Sequence, residues 1–354
     1  MQPMDVIRLT RVKQSFATRR VPLGDIARID TAAERLVAGD LVLARVDELG
    51  HHTNVERPDG RRAKLFPGDE ILIACGARYA PDQFEAQCPA ALGPAHLAAA
   101  GGIAGLVDAS HDRMKPPTAI TLLGAVCAAS GQRMNLADFA VAAAPRPARV
   151  PVLAVCGTSM NSGKTHTVAS IVRGLTLGGH RAAALKVTGT GSGGDLWLFR
   201  DAGAHFVADF TDAGFGTTYR APVEAIIEGA RRLIAAAEDA GAEAIVIEIA
   251  DGLWQDETAA LLASAPFRAM LGGMVFAAND AMGAEAGVAR LTAMGHRVCA
   301  ISGLLTRSPL AMREAVLALD LPCLTAAELS DSATLARLVG PALLPGAERL
   351  PSAA

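Results

Sequence analysis

Gly157-Thr-Ser-Met-Asn-Ser-Gly-Lys-Thr165 sits between the apolar run Val152-Leu-Ala-Val-Cys156 and a segment that opens His166-Thr-Val-Ala-Ser170. An apolar run, a glycine-containing turn and an amphipathic stretch predict strand, loop and helix in direct succession. In that order the amides of the turn and the positive end of the helix make a cradle for phosphate oxygens. Lys164 is then placed to neutralise charge on the terminal phosphates, and the Thr165 hydroxyl to ligate Mg²⁺. The expected nucleotide-binding residues are therefore Gly157, Thr158, Asn161, Ser162, Gly163, Lys164, Thr165 and His166. The expected cofactors are ATP, with GTP as the alternative, and Mg²⁺.

Downstream the pattern repeats. Apolar runs at Ala182-Ala-Ala-Leu-Lys186, Ala244-Ile-Val-Ile-Glu248, Met274-Val-Phe-Ala-Ala278 and Val298-Cys-Ala-Ile-Ser302 alternate with amphipathic stretches near 164–177, 222–240, 284–294 and 309–319. Strands that read as unbroken apolar runs between helices signal a mainly parallel sheet with helices on both faces. Such sheets bind ligands outside the carboxyl ends of their strands.

The first half reads differently. Leu41-Val-Leu-Ala-Arg-Val46 and Glu70-Ile-Leu-Ile-Ala74 each follow a Gly-Asp pair, with a turn at Pro58-Asp-Gly60 between them. These hairpin signals predict a strand-rich, β-barrel-like domain. Ala142-Ala-Ala-Pro-Arg-Pro-Ala-Arg149 has the small residues and prolines of a linker. The expected division is a strand-rich domain over 1–145 and an α/β nucleotide-binding domain over 150–340. A net charge of −3, with no long basic run, removes electrostatic support for a nucleic-acid partner. Six cysteines lie singly, without the close pairs of a structural zinc site. No signal peptide or bilayer-spanning run is evident, so a cytoplasmic protein acting on a small molecule, without membrane or nucleic-acid partners, is expected. A homodimer is the expected assembly.

Several polar residues fall on the ligand edge of the predicted sheet. Lys186 ends the second strand there, although an ordinary surface lysine would look the same. Thr188-Gly-Thr-Gly-Ser-Gly-Gly-Asp195 is a polar, glycine-rich loop able to approach an anion or close over a substrate, or merely to connect; Gly191, Ser192 and Gly193 are its substrate candidates. Glu248 closes four apolar residues, a costly place for a charge unless a metal ion or other partner compensates. Asp251 is a second carboxylate nearby. Asn279-Asp280 follow the fourth strand, as recognition residues or as a helix cap, and Ser308-Pro309 reads as an N-cap with proline in the first turn.

The Gly-Thr-x-x-x-x-Gly-Lys-Thr form has five residues between its glycines, one more than the common P-loop. It resembles dethiobiotin synthetase, the cobyrinate and cobyrate amidating enzymes, and the accessory protein of molybdopterin guanine dinucleotide synthesis, over about the C-terminal 180 residues. The resemblance implies that Lys186 faces phosphates or substrate, that Asp195 assists the metal, and that Glu248 holds Mg²⁺. It thereby implies an oxygen shell of Thr165, Asp195 and Glu248, with Lys164, Lys186 and Glu248 as catalytic residues. Three functions follow: an ATP- and Mg²⁺-dependent enzyme of ligase or kinase type that phosphorylates a small molecule; a nucleotide-regulated accessory protein of cofactor biosynthesis; or a group-transfer enzyme whose loop holds a phosphate-bearing carrier such as coenzyme A. No glutaminase segment accompanies the chain, which speaks against glutamine-dependent amidation.

Overall fold

The computed structural model describes residues 1–4 and 6–338; positions 339 and 340 of the expected second domain lie outside the described residues. Contacts divide the chain into two units. The first comprises Met1–Val141 with Gly189–Gly194 and Phe210–Ala221, and the second Ala142–Thr188, Asp195–Asp209 and the chain from Pro222 onward.

The first unit is strand-rich, as the hairpin signals predict. Five of its strands are β1 (Leu41–Glu48), β2 (Glu70–Cys75), β3 (Gly93–Ala99), β4 (Ile103–Ser110) and β5 (Thr118–Cys127). Their pairing returns on itself: β1 with β2, β2 with β4, β4 with β3, β3 with β5, and β5 with β1. Only the β2–β4 junction is parallel. Ring closure removes the unpaired edges that an open sheet of this size would expose. Alternation along the strands divides the side chains. Val42, Ala44 and Val46 join Ile71, Ile73, Leu97, Ile120 and Leu122 in one buried cluster. The intervening Leu41, Leu43, Leu72 and Ala74 pack in a second cluster with Val12, Val21, Ile26 and Ile29. The period of two therefore has apolar residues on both faces, which is why the runs at 41–46 and 70–74 read as nearly continuous.

The second unit is the α/β fold expected. Its elements are β6 (Val152–Gly157), α1 (Lys164–Leu177), β7 (Ala182–Lys186), α2 (Gly194–Asp201), β8 (Phe206–Asp209), α3 (Val223–Asp239), β9 (Ala244–Glu248), α4 (Asp256–Ala263), β10 (Gly273–Ala277), α5 (Ala281–Ala293), β11 (Val298–Ser302) and α6 (Pro309–Ala318). The strands lie in the order β8-β7-β9-β6-β10-β11, and every pair is parallel. From β6 the chain first builds outward through β7 and β8, returns to β9, and then crosses to β10 on the other side. The switch in winding direction falls at β6, where ligands of open parallel sheets gather. Val168, Ile171, Val172 and Leu175 of α1 repeat at three and four residues and bury against Leu153, Val155, Val246 and Val275 of the sheet. Burial of each such side chain contributes about 1.5–3 kcal/mol. Strand β8 and helices α2 and α4 have no counterpart in the pattern read from the sequence. They span four or eight residues each, too short for periodicity to stand out. Among the described residues no helix is long and apolar enough to cross a membrane.

His52 of the first unit is enclosed by His51, Phe84 and Arg78, its Nε2 lying 3.0 Å from Arg78 Nη1 and 3.2 Å from the Ala98 carbonyl oxygen. Burial first, and the guanidinium charge second, lower its pKa from 6.5 to about 3. A base held neutral only in the folded state binds fewer protons than in the unfolded chain between those values. The stabilisation is complete above pH 6.5 and is lost as pH falls toward 3. Acidification from pH 7 to 4.5 should cost on the order of 2–3 kcal/mol through this group. Thermal melts of wild type and His52→Gln across that range should converge as the pH falls.

Candidate functional site

The loop after β6 is shaped by what its main chain must avoid. A Cβ at Gly157 would lie 2.2 Å from Ser162 Oγ and 2.7 Å from the Ala277 carbonyl oxygen, so only glycine lets the strand turn there. Asn161 and Gly163 take positive φ of 64° and 96°, the latter as the N-cap of α1. Asparagine tolerates the left-handed region better than most residues, and glycine enters it freely. Neighbouring strands pin the loop: Thr158 N donates to Ala277 O at 3.0 Å, and Leu304 N to Ser162 O at 3.0 Å. The turn thus opens at the start of a fourteen-residue helix, where unsatisfied N–H groups and the helix dipole favour an anion.

Lys164 is buried, and its Nζ donates to the Ser159 carbonyl oxygen of the same loop at 2.7 Å. Burial lowers its pKa, while Glu248 and Asp251 pull the other way. Lys186, at the end of β7, pairs with Asp195 at the start of α2, and its Nζ lies 3.5 Å from Glu248 Oε1 at the end of β9. Register explains the second contact, because Lys186 and Glu248 are directly paired positions of adjacent strands. Burial alone would lower the Lys186 pKa; Asp195 and Glu248 outweigh it and raise it. For Asp195 burial pushes up, but the Lys186 ammonium prevails and holds the carboxyl below its ordinary value. Glu248 goes up, because burial outweighs Lys186. The Thr165 hydroxyl favours the charged form of both carboxylates, although Glu248 Oε2 makes no hydrogen bond of ordinary geometry.

The structure therefore brings together Gly157 to Thr165, Lys186, Asp195 and Glu248. Asp251 takes a positive φ of 64° and acts electrostatically on both lysines. Asn279 is exposed and reaches the loop through Nδ2 to Ser159 Oγ at 3.3 Å, while Asp280 caps α5 by accepting from Gly283 N at 2.7 Å. Ser308 caps α6 in the same way. His166 is exposed on the first turn of α1. Gly191, Ser192 and Gly193 belong to the first unit, where Gly191 N donates to Gly216 O at 2.9 Å and Gly193 N to Glu56 Oε2 at 2.8 Å. Sequence reading missed Ala277, whose carbonyl anchors the loop, and Asp209, fully buried at the end of β8 opposite Lys186 in register. The only available signal for Asp209 was a lone carboxylate after a run too short to read as a strand.

A metal and a triphosphate fit these residues. Thr158 Oγ1, Ser162 Oγ and Glu248 Oε2 are buried without a hydrogen-bond partner, a condition that buried polar atoms rarely keep. The donor set of one hydroxyl and two carboxylates is hard and oxygen-only, as Mg²⁺ prefers. Among the described residues no group of three or more His, Cys, Asp or Glu side chains could hold a metal by itself, so phosphate oxygens or water would have to complete the shell.

Strand, loop and helix at the switch point of a parallel sheet give the second unit the architecture of an α/β fold with a P-loop-type turn. Neither a protein-family model nor a curated protein matches the chain. Among solved structures, the signal recognition particle receptor FtsY from Elizabethkingia anophelis aligns at 12% identity and a TM-score of 0.34, over 52% of this chain and 66% of that one. The signal recognition particle 54 kDa protein from Aeropyrum pernix K1, in complex with GDP, aligns at 17% and 0.37, over 55% and 47%. The kinase domain of the Escherichia coli tyrosine kinase ETK aligns at 16% and 0.34, over 44% and 68%. The chain covers less than two-thirds of the length of either signal recognition protein. At these scores the fold reading rests on the chain's own geometry.

Gly157→Ala is expected to destabilise the second unit by about 1–3 kcal/mol, because the new methyl group meets a carbonyl oxygen fixed in the sheet. Gly194→Ala, with nothing within 4 Å of the added carbon, should change stability by no more than a few tenths of that; parallel thermal melts compare the two.

Proposed function

We propose that the chain is an ATP- and Mg²⁺-dependent enzyme of ligase or kinase type, which activates a small-molecule acceptor by phosphoryl transfer in the manner of dethiobiotin synthetase. The observation that carries this reading is the meeting of two ammonium groups and two carboxylates beside the loop, at the carboxyl edge of β6, β7 and β9. A loop that only held phosphates would need Lys164 and the helix end. A second, largely enclosed lysine and a buried glutamate are costly additions unless charge develops next to them.

In this reading the amides of the loop bind the phosphate chain and Lys164 moves from the Ser159 carbonyl to the phosphate oxygens. Thr165, Asp195 and Glu248 would hold Mg²⁺, which supplies neutralisation of phosphate charge when bound. Lys186 balances the negative charge that builds on the transferring group, and its carboxylate partners keep it protonated and oriented. An acceptor carboxylate oxygen, or an amine nitrogen that gives up one proton to solvent, forms a bond to the γ-phosphorus as the bond from that phosphorus to the β-bridging oxygen breaks, and ADP leaves with the electron pair. The positioning of fixed charges, rather than covalent chemistry by the protein, is what such transfers require.

The test is ATP turnover by the purified chain with and without a panel of small carboxylates and amines. Turnover only with an acceptor supports the proposal; slow acceptor-independent hydrolysis that no compound accelerates refutes it. Lys164→Ala should remove nucleotide binding in calorimetry. Lys186→Met should keep nucleotide affinity within a few-fold and reduce turnover by roughly 10²–10³. Because Lys186→Met strands the buried Glu248 and the partly buried Asp195, Lys186→Arg serves as the folded control, expected to melt near wild type yet remain slow.

A further inference from the structure

Two side chains within two residues of glycines packed on the phosphate loop are apolar and unburied. Trp254, in the turn between β9 and α4, is 79% exposed, and Met282, in the first turn of α5, is 83% exposed. Both are carried by backbone pressed against the loop. A Cβ at Gly252 would lie 2.4 Å from the Thr158 carbonyl oxygen and 2.8 Å from Ser159 Cα, and one at Gly283 would lie 3.0 Å from Thr158 Cγ2. The connection to Trp254 passes through Asp251, a non-glycine residue at a positive φ of 64°, and backbone outliers of this kind are costly enough to point to a functional constraint. Arg290 of α5 lies against the indole with its guanidinium carbon 4.2 Å from the ring centroid. One face of the ring is backed by a cation; the exposure belongs to the other.

The end of the cradle served by this ring follows from Lys164. Its Nζ sits on the Ser159 carbonyl, and the lysine of such loops reaches the terminal phosphates. Thr158 and Ser159, against which the Trp254 turn packs, are therefore at the terminal-phosphate end, where an acceptor must stand. We infer that Trp254 is a stacking platform for the flat aromatic or heteroaromatic ring of the acceptor. This rests on the phosphoryl-transfer reading for which end of the loop is which. A second copy of the chain fits the same residues less well. A stable interface takes about 800 Å² from each partner and one aromatic side chain supplies about 150–250 Å². Asp256, two residues beyond the tryptophan, and Glu285, one turn along from Met282, are exposed charges that break the apolar surface.

The chain has two tryptophans, so Trp197→Phe leaves Trp254 as the sole reporter. The full chain, saturated with Mg²⁺ and the non-hydrolysable analogue AMP-PNP, is titrated with quinaldate and nicotinate as flat-ring probes, and with cyclohexanecarboxylate as the non-planar control. Saturable binding of a flat probe in calorimetry, a matching saturable change in Trp254 emission, and a loss of about ten-fold in affinity in Trp254→Ala with AMP-PNP affinity unchanged are expected. The inference is overturned if neither flat probe binds saturably while AMP-PNP does, or if the cyclohexane compound binds as well as they do. It is equally overturned if adenosine alone gives the Trp254 response, which makes the ring a base platform, or if sedimentation finds a dimer that Trp254→Ala dissociates. Absence of AMP-PNP binding to wild type removes the phosphoryl-transfer reading as well, and calorimetry without any ring compound tells that failure apart.

Discussion

An anion can be held by main-chain N–H groups only where side chains stay out of the way. At the end of β6 that requirement propagates outward. Gly157 must lack a Cβ because Ala277 O and Ser162 Oγ already fill the space, and Gly163 must accept a left-handed conformation so that α1 can begin there. The loop is then tied on two sides, through Thr158 to β10 and through Ser162 to the turn after β11. Rigidity of this kind matters because an ordering penalty of about 1–2 kcal/mol per residue would otherwise oppose ligand binding. The parallel sheet, the winding switch at β6 and the burial of α1 all serve to hold nine residues in one shape.

The same edge concentrates charge. Lys186 and Glu248 are brought together by strand register, and Asp195 by the helix that begins after the glycine-rich loop. Removing one partner of such a buried set costs about 3–5 kcal/mol, whereas the intact pair contributes little net stability. An arrangement of this cost is out of proportion to its structural yield. It is intelligible if the charges are balanced for a state in which a metal ion and a phosphoryl group enter the set and Lys186 redistributes among the carboxylates and phosphate oxygens.

How far the residues alone revealed this differs from one element to the next. The strand, loop and helix at 152–177 were legible because an uninterrupted apolar run, two glycines and a three-four repeat each carry a separate signal. Glu248 was legible because a carboxylate closing four apolar residues contradicts burial preferences. The contact of Lys186 with Glu248 was not legible, since register between strands separated by more than fifty residues leaves no local trace. A barrel-like first unit was legible, but which strands pair to close it was not. Closure depends on β3 pairing with both β4 and β5, and alternation within one strand does not name its neighbours. The role of Trp254 could not be read at all, because an isolated tryptophan after a turn looks the same whether it is buried or left in water.

The closed ring of the first unit limits what that unit can contribute. Barrels of about eight strands are just wide enough to fill with side chains or hold one small ligand, and this ring has five, filled by Val42, Ile71, Ile73, Leu97 and Ile120. Any ligand of the unit must therefore meet its outer surface or its loops. The segments 189–194 and 210–221 form part of that exterior: Arg19 pairs with Asp212 at 2.5 Å, and Tyr219 donates its hydroxyl proton to Glu85 at 2.9 Å. Two segments inserted between α/β elements thus complete a unit whose strands end before residue 130.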